Sequence, residues 1–461
     1  MPRKPLRAKL ATSVSKGAAA LSRAAGRGDG AVIGGRLGLM IDPELLAHLS
    51  DGRRIALISG TNGKTTTTRL TTAALGVLGP VATNSLGANM PTGHTSALAK
   101  AGDTPYAVLE VDEHYLPQVL VSTSAEVVAL LNLSRDQLDR AKEVAMMAQL
   151  WRDALQGRPV HLVANADDPM VVWAASVTDQ VTWVAAGQRW HDDSWVCPKC
   201  GGAIERVEVS VELPRDPLAG APSTAGEGTA GEGAGEPTGA DVVEVETASQ
   251  PTIGSGGGAP DADWRCTSCD LRRPTPQWTI DGTAVVDPDG GHHEISLQLP
   301  GRVNRANAAV ALAVAAWFGA SPADAMPRLA EVASIAGRYA QVQRDGKAIR
   351  LLLAKNPAGW LEAFDMADAE PTLLSINARD PDGLDTSWLF DVDFSPLAGR
   401  SVLITGDRAF DLAVRLEVNE IPFRHVRTFA EALGATPPGR LEVIANYTAF
   451  QDIRAELDRV N

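Results

Sequence analysis

The stretch RIALISGTNGKTTTTRL, Arg54 to Leu70, limits what this chain can fold into more than any other. A short apolar run ends on a glycine, and a second glycine then precedes a lysine and four threonines. Gly60 and Gly63 let backbone N–H groups turn inward around phosphate oxygens. Lys64 can reach terminal phosphates as a point charge, and Thr65 offers a hydroxyl to Mg²⁺. A helix starting there points the positive end of its dipole at the anion. The loop is shorter than the usual nucleotide loop, because Ile58 stands where that loop carries its first glycine.

A strand feeding a loop and then a helix implies an α/β sheet. YAVLEVDE, EVVALLNLS and VHLVANADDP each read as a further strand with polar residues at its carboxyl end. Such alternation predicts a parallel sheet flanked by helices, with ligands bound beyond the carboxyl ends of the strands. After Pro300 the alanine-rich residues 304–318 read as a helix. From about residue 346 a second α/β unit of Rossmann-like character begins, with strands AIRLLLAKN, PTLLSINARD, RSVLITGD, RHVRTF and LEVIANYT. The chain of 461 residues is long enough for two or three domains. We place a basic helical segment at 1–50, a central nucleotide-binding domain at 51–335 and a C-terminal domain at 336–461.

The four cysteines fall as two C-x-x-C pairs, Cys197 with Cys200 and Cys266 with Cys269. That spacing fits four thiolates around one structural zinc, in an insertion spanning about 190–280. Between the pairs, residues 215–262 are rich in Gly, Ala, Ser, Pro and Glu without aromatics. Such a composition buries too little area to offset the entropy of ordering, so a disordered loop is expected.

Net charge is −14, which disfavours nucleic acid as a ligand. The longest apolar run, from Ala308, falls short of the ~20 residues that span a bilayer. The first 27 residues carry seven Lys or Arg and no acid. A transit segment, a basic helix packed on the first domain, and a basic helix resting near an anionic membrane all have this look. The expected location is the cytoplasm, with the inner membrane face as a peripheral site.

The segment GTNGKTT resembles the nucleotide loop of the Mur ligase superfamily, which includes the folylpolyglutamate synthases. Further segments match in order. LEVDEH places Glu110 where the superfamily has a Mg²⁺-binding glutamate. NLSRDQLDR resembles its N-x-x-x-D-H-L-D-R stretch, with Gln137 in place of the histidine. PGRVNRANAAVA matches the helix whose asparagines face adenine, here Asn304 and Asn307, and Arg338 resembles the hinge arginine near the phosphates. TNSLGANM, AKNPAG, DGLDTSWLFDVDF, TGDRAFDLAVRL and ANYTA, together with the four cysteines, resemble the ligase subunits of lipid II isoglutaminyl synthases over nearly the whole length. The resemblance implies ATP, Mg²⁺ and structural Zn²⁺ as ligands. It implies Gly60, Thr61, Asn62, Gly63, Lys64, Thr65, Thr66 and Glu110 around ATP and magnesium. It implies a GatD-type glutaminase as partner, supplying ammonia to amidate the α-carboxylate of D-glutamate in the lipid II stem peptide. Asp385, ahead of Asp382 and Asp391, is the aspartate expected to reach the partner's catalytic histidine. The rival readings are a ligase that adds an amino acid, as folylpolyglutamate synthases do, and a zinc-ribbon protein that binds nucleic acid.

Overall fold

The computed structural model describes residues 5–25, 30–84, 88–135, 144–185, 187–207, 263–332, 339–367 and 371–459. The N-terminal segment forms three helices, α1 (Leu6–Ala24), α2 (Ala31–Ile41) and α3 (Leu45–Ser50). The apolar run that follows is β1 (Arg54–Ser59), buried from Ile55 onward as expected of a central strand covered on both faces. In chain order come α4 (Lys64–Leu75), β2 (Val81–Thr83), α5 (Pro91–Ala101), β3 (Tyr106–Glu110), α6 (Leu116–Thr123) and β4 (Val127–Leu130). Then follow α7 (Val144–Leu155), β5 (His161–Asn165), α8 (Pro169–Ala175) and β6 (Val181–Val184). These strands pair in parallel, in the order β2-β3-β1-β4-β5-β6. The chain leaves β1 toward one edge and later returns to its other side at β4. This reversal opens a crevice at the carboxyl end of β1, where the glycine loop lies.

The insertion brings β7 (Ile204–Val207) beside β8 (Asp263–Cys266), antiparallel. A small sheet then forms from β9 (Thr279–Asp281), β10 (Ala284–Val286) and β11 (His292–Glu294). The sequence reading missed this sheet because three-residue strands carry almost no periodicity. The helices α9 (Arg302–Trp317) and α10 (Pro322–Ala330) close the central unit. Its sheet is packed on both faces. Leu70 and Leu75 of α4 meet Leu312 and Val314 of α9 on one side. Leu49, Leu98, Val119, Trp151 and Val171 pack on the other.

The second unit starts earlier than about 346, at β12 (Tyr339–Arg344), which turns through Asp345 and Gly346 into β13 (Lys347–Leu353). Both turn residues have positive φ, 51° and 73°, as an Asp-Gly hairpin turn requires. The remaining elements are α11 (Pro357–Met366), β14 (Thr372–Ser375), β15 (Val402–Thr405), α12 (Ala409–Val418) and β16 (Phe423–His425). They end with α13 (Phe429–Ala435), β17 (Gly439–Ala445) and α14 (Tyr447–Asp458). The order is β12-β13-β17-β14-β15-β16, parallel throughout except for β12. Gln137, Arg338 and the loop expected at 215–262 lie outside the described residues.

Candidate active site

The loop between β1 and α4 is shaped by its glycines. Gly60 has φ 150° and Gly63 has φ 82°. A Cβ on Gly63 would sit 2.7 Å from Asn307 Oδ1, so a larger residue would collide with α9. Thr61 N donates to the Asn132 carbonyl at 2.9 Å, and Asn62 N donates to Asn132 Oδ1 at 2.9 Å. The loop is therefore held from the end of β4 as well as by its own strand.

Lys64 lies buried at the start of α4. Its Nζ donates to the Gly60 carbonyl (2.5 Å) and the Thr61 carbonyl (3.1 Å), and it pairs with Glu113 Oε2 at 3.0 Å. Glu113, three residues beyond Glu110 in LEVDEH, is a contact of the loop lysine that sequence reasoning missed. Its signal was a second carboxylate just past the end of β3. Glu110 itself is 1% exposed and pairs in register with Ile58 of β1, one strand across from the loop. Its backbone is fixed by Asn84, whose Oδ1 accepts from Glu110 N at 2.8 Å and whose Nδ2 donates to the Glu110 carbonyl at 2.8 Å. His94 Nε2 lies 2.7 Å from the same carbonyl. Burial lowers the His94 pKa to about 4, so the ring is neutral and donates Nε2–H to that carbonyl. Asn84 and His94 fall inside TNSLGANMPTGHTSAL, residues 83–98. The structure makes them supports of the β3 end.

The asparagines of α9 sit close to the loop. Thr67 Oγ1 donates to Asn307 Oδ1 at 3.1 Å, and Asn307 Nδ2 donates to Asn304 Oδ1 at 3.3 Å. Asn307 also lines a cavity with Asn62, Asn165, Gln188, Trp190 and Glu362. Asn165 Nδ2 donates to the Leu131 carbonyl and to Gln188 Oε1, both at 2.9 Å, which orders that wall. Asp168 caps α8 through the amides of Met170 and Val171 and also accepts from Leu133 N.

Glu362 enters this cavity from the C-terminal unit. Its Oε2 is buried and, among the described residues, has no hydrogen-bond partner. Burial and then Asp365 push its pKa up to about 7. When protonated, this carboxyl can donate to a ligand in the cavity. Nothing in the local pattern around Glu362 marks it, because its place depends on how the two units face each other. They meet through Asn62 Nδ2 and Asn356 Oδ1 (3.4 Å), Arg189 and Asp365 (3.1 Å), and Arg135 and Asp391 (3.3 Å).

The four cysteine sulfurs lie within 4.8 Å of one another. Cys197 and Cys269 are 3.7 Å apart, and Cys200 and Cys266 are 3.4 Å apart. A tetrahedron with bonds of about 2.3 Å has edges of about 3.8 Å, so this donor set fits a zinc ion. Gly202 N points at Cys200 Sγ and Ser268 N at Cys266 Sγ, at 3.4 and 3.3 Å. The Ser268 amide is the main reason that the Cys266 thiol is drawn down to about 7. The knuckle rests on α8, because Trp264 is buried with Val172 and donates Nε1–H to the Ala166 carbonyl at 3.0 Å.

In the C-terminal unit the acidic loop is anchored from below. Asp382 accepts from Thr448 N at 2.8 Å and also from its hydroxyl. Trp388 and Leu389 sit in the core. Asp391 is taken up by Arg135. Asp385 is exposed, and its Oδ1 accepts from Ser387 N within its own turn at 2.8 Å. That amide and the Ser387 hydroxyl hold its carboxylate below the usual range. Asp385 lies on the opposite unit from Lys64 and Glu110, outside the loop and cavity described above.

A shortened glycine loop at the switch point of one parallel sheet, facing a second α/β unit, is the arrangement of a ligase of the Mur type. The family description "Mur ligase middle domain" matches residues 58–195, and "MurT ligase C-terminal" matches residues 353–450. The central unit thus carries the Mur ligase match and the C-terminal unit the MurT match, and the chain is similar to MurT subunits over most of its length. It is 26% identical to the "Lipid II isoglutaminyl synthase (glutamine-hydrolyzing) subunit MurT" of Staphylococcus aureus (strain COL), over 97% of each chain. It is 28% identical to the protein of that name from Streptococcus pneumoniae (strain ATCC BAA-255 / R6), over 86% of this chain and 83% of that one. Among solved structures, the pseudomurein peptide ligase type C of Methanothermus fervidus matches with a TM-score of 0.62 at 15% identity, covering 91% of this chain and 81% of that one. The folylpolyglutamate synthase of Mycobacterium tuberculosis matches at 0.54 and 16%, over 90% and 93%. At those identities the two structures speak for the fold alone.

Proposed function

We propose that this protein activates the α-carboxylate of D-glutamate in the lipid II stem peptide with ATP and passes it to ammonia from a GatD-type glutaminase, giving D-isoglutamine. The full-length likeness to MurT subunits named as glutamine-hydrolysing supports this most directly. The backbone amides of Gly60 to Thr65, with Lys64, hold the β- and γ-phosphates. Thr65 and Glu110 are the residues that would hold Mg²⁺, which supplies charge neutralisation during phosphoryl transfer. The carboxylate oxygen attacks the γ-phosphorus, ADP leaves, and an acyl phosphate forms. Ammonia then adds to the carbonyl carbon and phosphate departs. A carboxylate is a weak, negatively charged nucleophile, so positioning and charge neutralisation carry the rate. Contacts such as Arg189 with Asp365 hold the two units around the site, which favours exclusion of water from the acyl phosphate. All four cysteines stand together in the knuckle, so the glutaminase nucleophile comes from the partner.

Exposed apolar side chains near Asp385 support a protein partner there. Phe410, Val414 and Val418 repeat at intervals of four along α12, and Leu384 and Phe390 flank Asp385. The test is reconstitution. The purified chain, a GatD-type glutaminase, glutamine, Mg²⁺-ATP and lipid-linked muropeptide should yield ADP, phosphate and a product lighter by about one mass unit, as replacement of OH by NH₂ requires. Amino-acid addition in place of amidation would move the assignment to the folylpolyglutamate type of reaction.

The knuckle is read as a structural zinc site, since four thiolates leave no open position for water. Chelation, or Cys200→Ser, should remove about one zinc per chain and lower the melting temperature by several degrees. Zinc content that stays unchanged in the variant, measured by elemental analysis, would exclude the site.

A further inference from the structure

We propose that the outer face of the α1–α2 hairpin is a docking surface for an anionic phospholipid bilayer. The two helices are packed with their small residues inward. α1 buries Ala8, Ala11, Ser15, Ala19 and Ser22, and α2 buries Gly34, Gly35 and Gly38. A Cβ on Gly34 would lie 2.7 Å from the Ser15 carbonyl oxygen, so the close approach of the helices depends on that glycine. Arg7 Nε donates to the Ile41 carbonyl at 2.5 Å and closes the open end of the hairpin.

The large apolar residues face the other way. Leu6, Leu10 and Leu21 of α1 are 84%, 59% and 73% exposed. Val32, Ile33 and Met40 of α2 are exposed too, Met40 by 70%. A helix on a water-facing surface normally shows the reverse pattern. At 100° per residue, the three α1 leucines fall within about 60° of arc, opposite the buried row. Lys9, Lys16 and Arg23, spaced seven apart, run along one flank of that arc, and Arg7 lies on the other. Apolar residues at the centre with cations at the margins are the pattern of a helix that lies in a membrane interface.

Charge selects the occupant. Residues 1–41 hold eight Lys or Arg and one acid, in a chain of net charge −14. An anionic bilayer attracts this end and repels the rest, so the same field that binds the protein also orients it. A second copy docking face to face would set cation rows against each other. Among the described residues no helix is long and apolar enough to cross a membrane, so the hairpin lies on the bilayer and does not span it. The surface deepens the reading of a lipid-linked substrate, although the geometry for it stands without that reading.

The experiment is vesicle sedimentation of the full-length chain with its glutaminase, without nucleotide or substrate. Binding to phosphatidylglycerol-rich vesicles is expected, weaker by about tenfold or more on phosphatidylcholine vesicles or at high salt. Leu10→Glu with Leu21→Glu, and separately Lys9→Glu with Lys16→Glu, should each weaken binding by about tenfold or more while amidation in detergent is unchanged. Wild-type binding by both variants, or equal binding to both vesicle types, overturns the proposal. A change in solution mass in the leucine variant also overturns it, because the face would then belong to a second copy. Vesicle binding that persists without amidation removes the functional reading and leaves this surface; amidation without binding does the opposite.

Discussion

Lys64→Ala should abolish glutamine-dependent amidation, by about 10³-fold or more, if the lysine supplies point charge to the phosphates as negative charge shifts during transfer, as proposed. Lys64 Nζ is engaged by two loop carbonyls and by Glu113. These contacts brace the loop from within. Removing the lysine alone also strands Glu113, whose side chain is 11% exposed, and breaking a pair of this kind costs about 3–5 kcal/mol before relaxation. Part of any loss could therefore be structural. Lys64→Ala combined with Glu113→Gln separates the two effects. The double variant should recover the melting temperature of the wild type while amidation stays absent. Recovery of activity along with stability would show that the lysine acts only as a brace. In either variant, the glutaminase should still be captured in a pull-down, since the loop lies away from the apolar stripe of α12.

The loop was legible in the sequence because its chemistry is local. Two glycines, a lysine and threonines follow an apolar run within a few positions, and that run, as β1, fixes where the loop points. The thiolate cluster was legible for the same reason: the C-x-x-C spacing presets each half of the site. Residues that depend on which strands become neighbours were harder to see. Asn84 supports Glu110 only because β2 lies beside β3. His94 reaches the same carbonyl from α5, and nothing in its local pattern distinguishes it from a core histidine. Glu362 gains its meaning from the facing of two units, which a one-dimensional reading does not contain. The N-terminal helices show the opposite difficulty. Their composition announced a basic helix, but the inward small residues and outward leucines became visible only once α2 was seen against α1. The three short strands after the knuckle carried too little pattern to register at all.

Asp385→Asn should suppress glutamine hydrolysis by the assembled pair by about 10²–10⁴-fold, while ATP binding by this chain is unchanged. The loop geometry separates this aspartate from its neighbours. Asp382 is spent on Thr448 and on the turn at Arg379, and Asp391 on Arg135. Among those three, Asp385 alone is exposed, and it accepts from the Ser387 amide within its own turn. That bond, from the Ser387 amide, stabilises the charged form, so the carboxylate is ionised throughout the neutral range. An ionised acid set beside a partner's histidine fixes its tautomer and supports the imidazolium that forms when the thiol gives up its proton. Asparagine keeps the size and loses the charge, so the complex should still form through Phe410, Val414 and the residues around them. The loss should therefore appear in turnover and not in assembly. Asp382→Asn is the control: it loosens the loop at Thr448 and should lower stability more than it lowers turnover in the folded fraction. If Asp391→Asn gave the large loss and Asp385→Asn none, the acid that serves the partner would be the one now paired with Arg135, and the two units would have to part before glutamine could be hydrolysed.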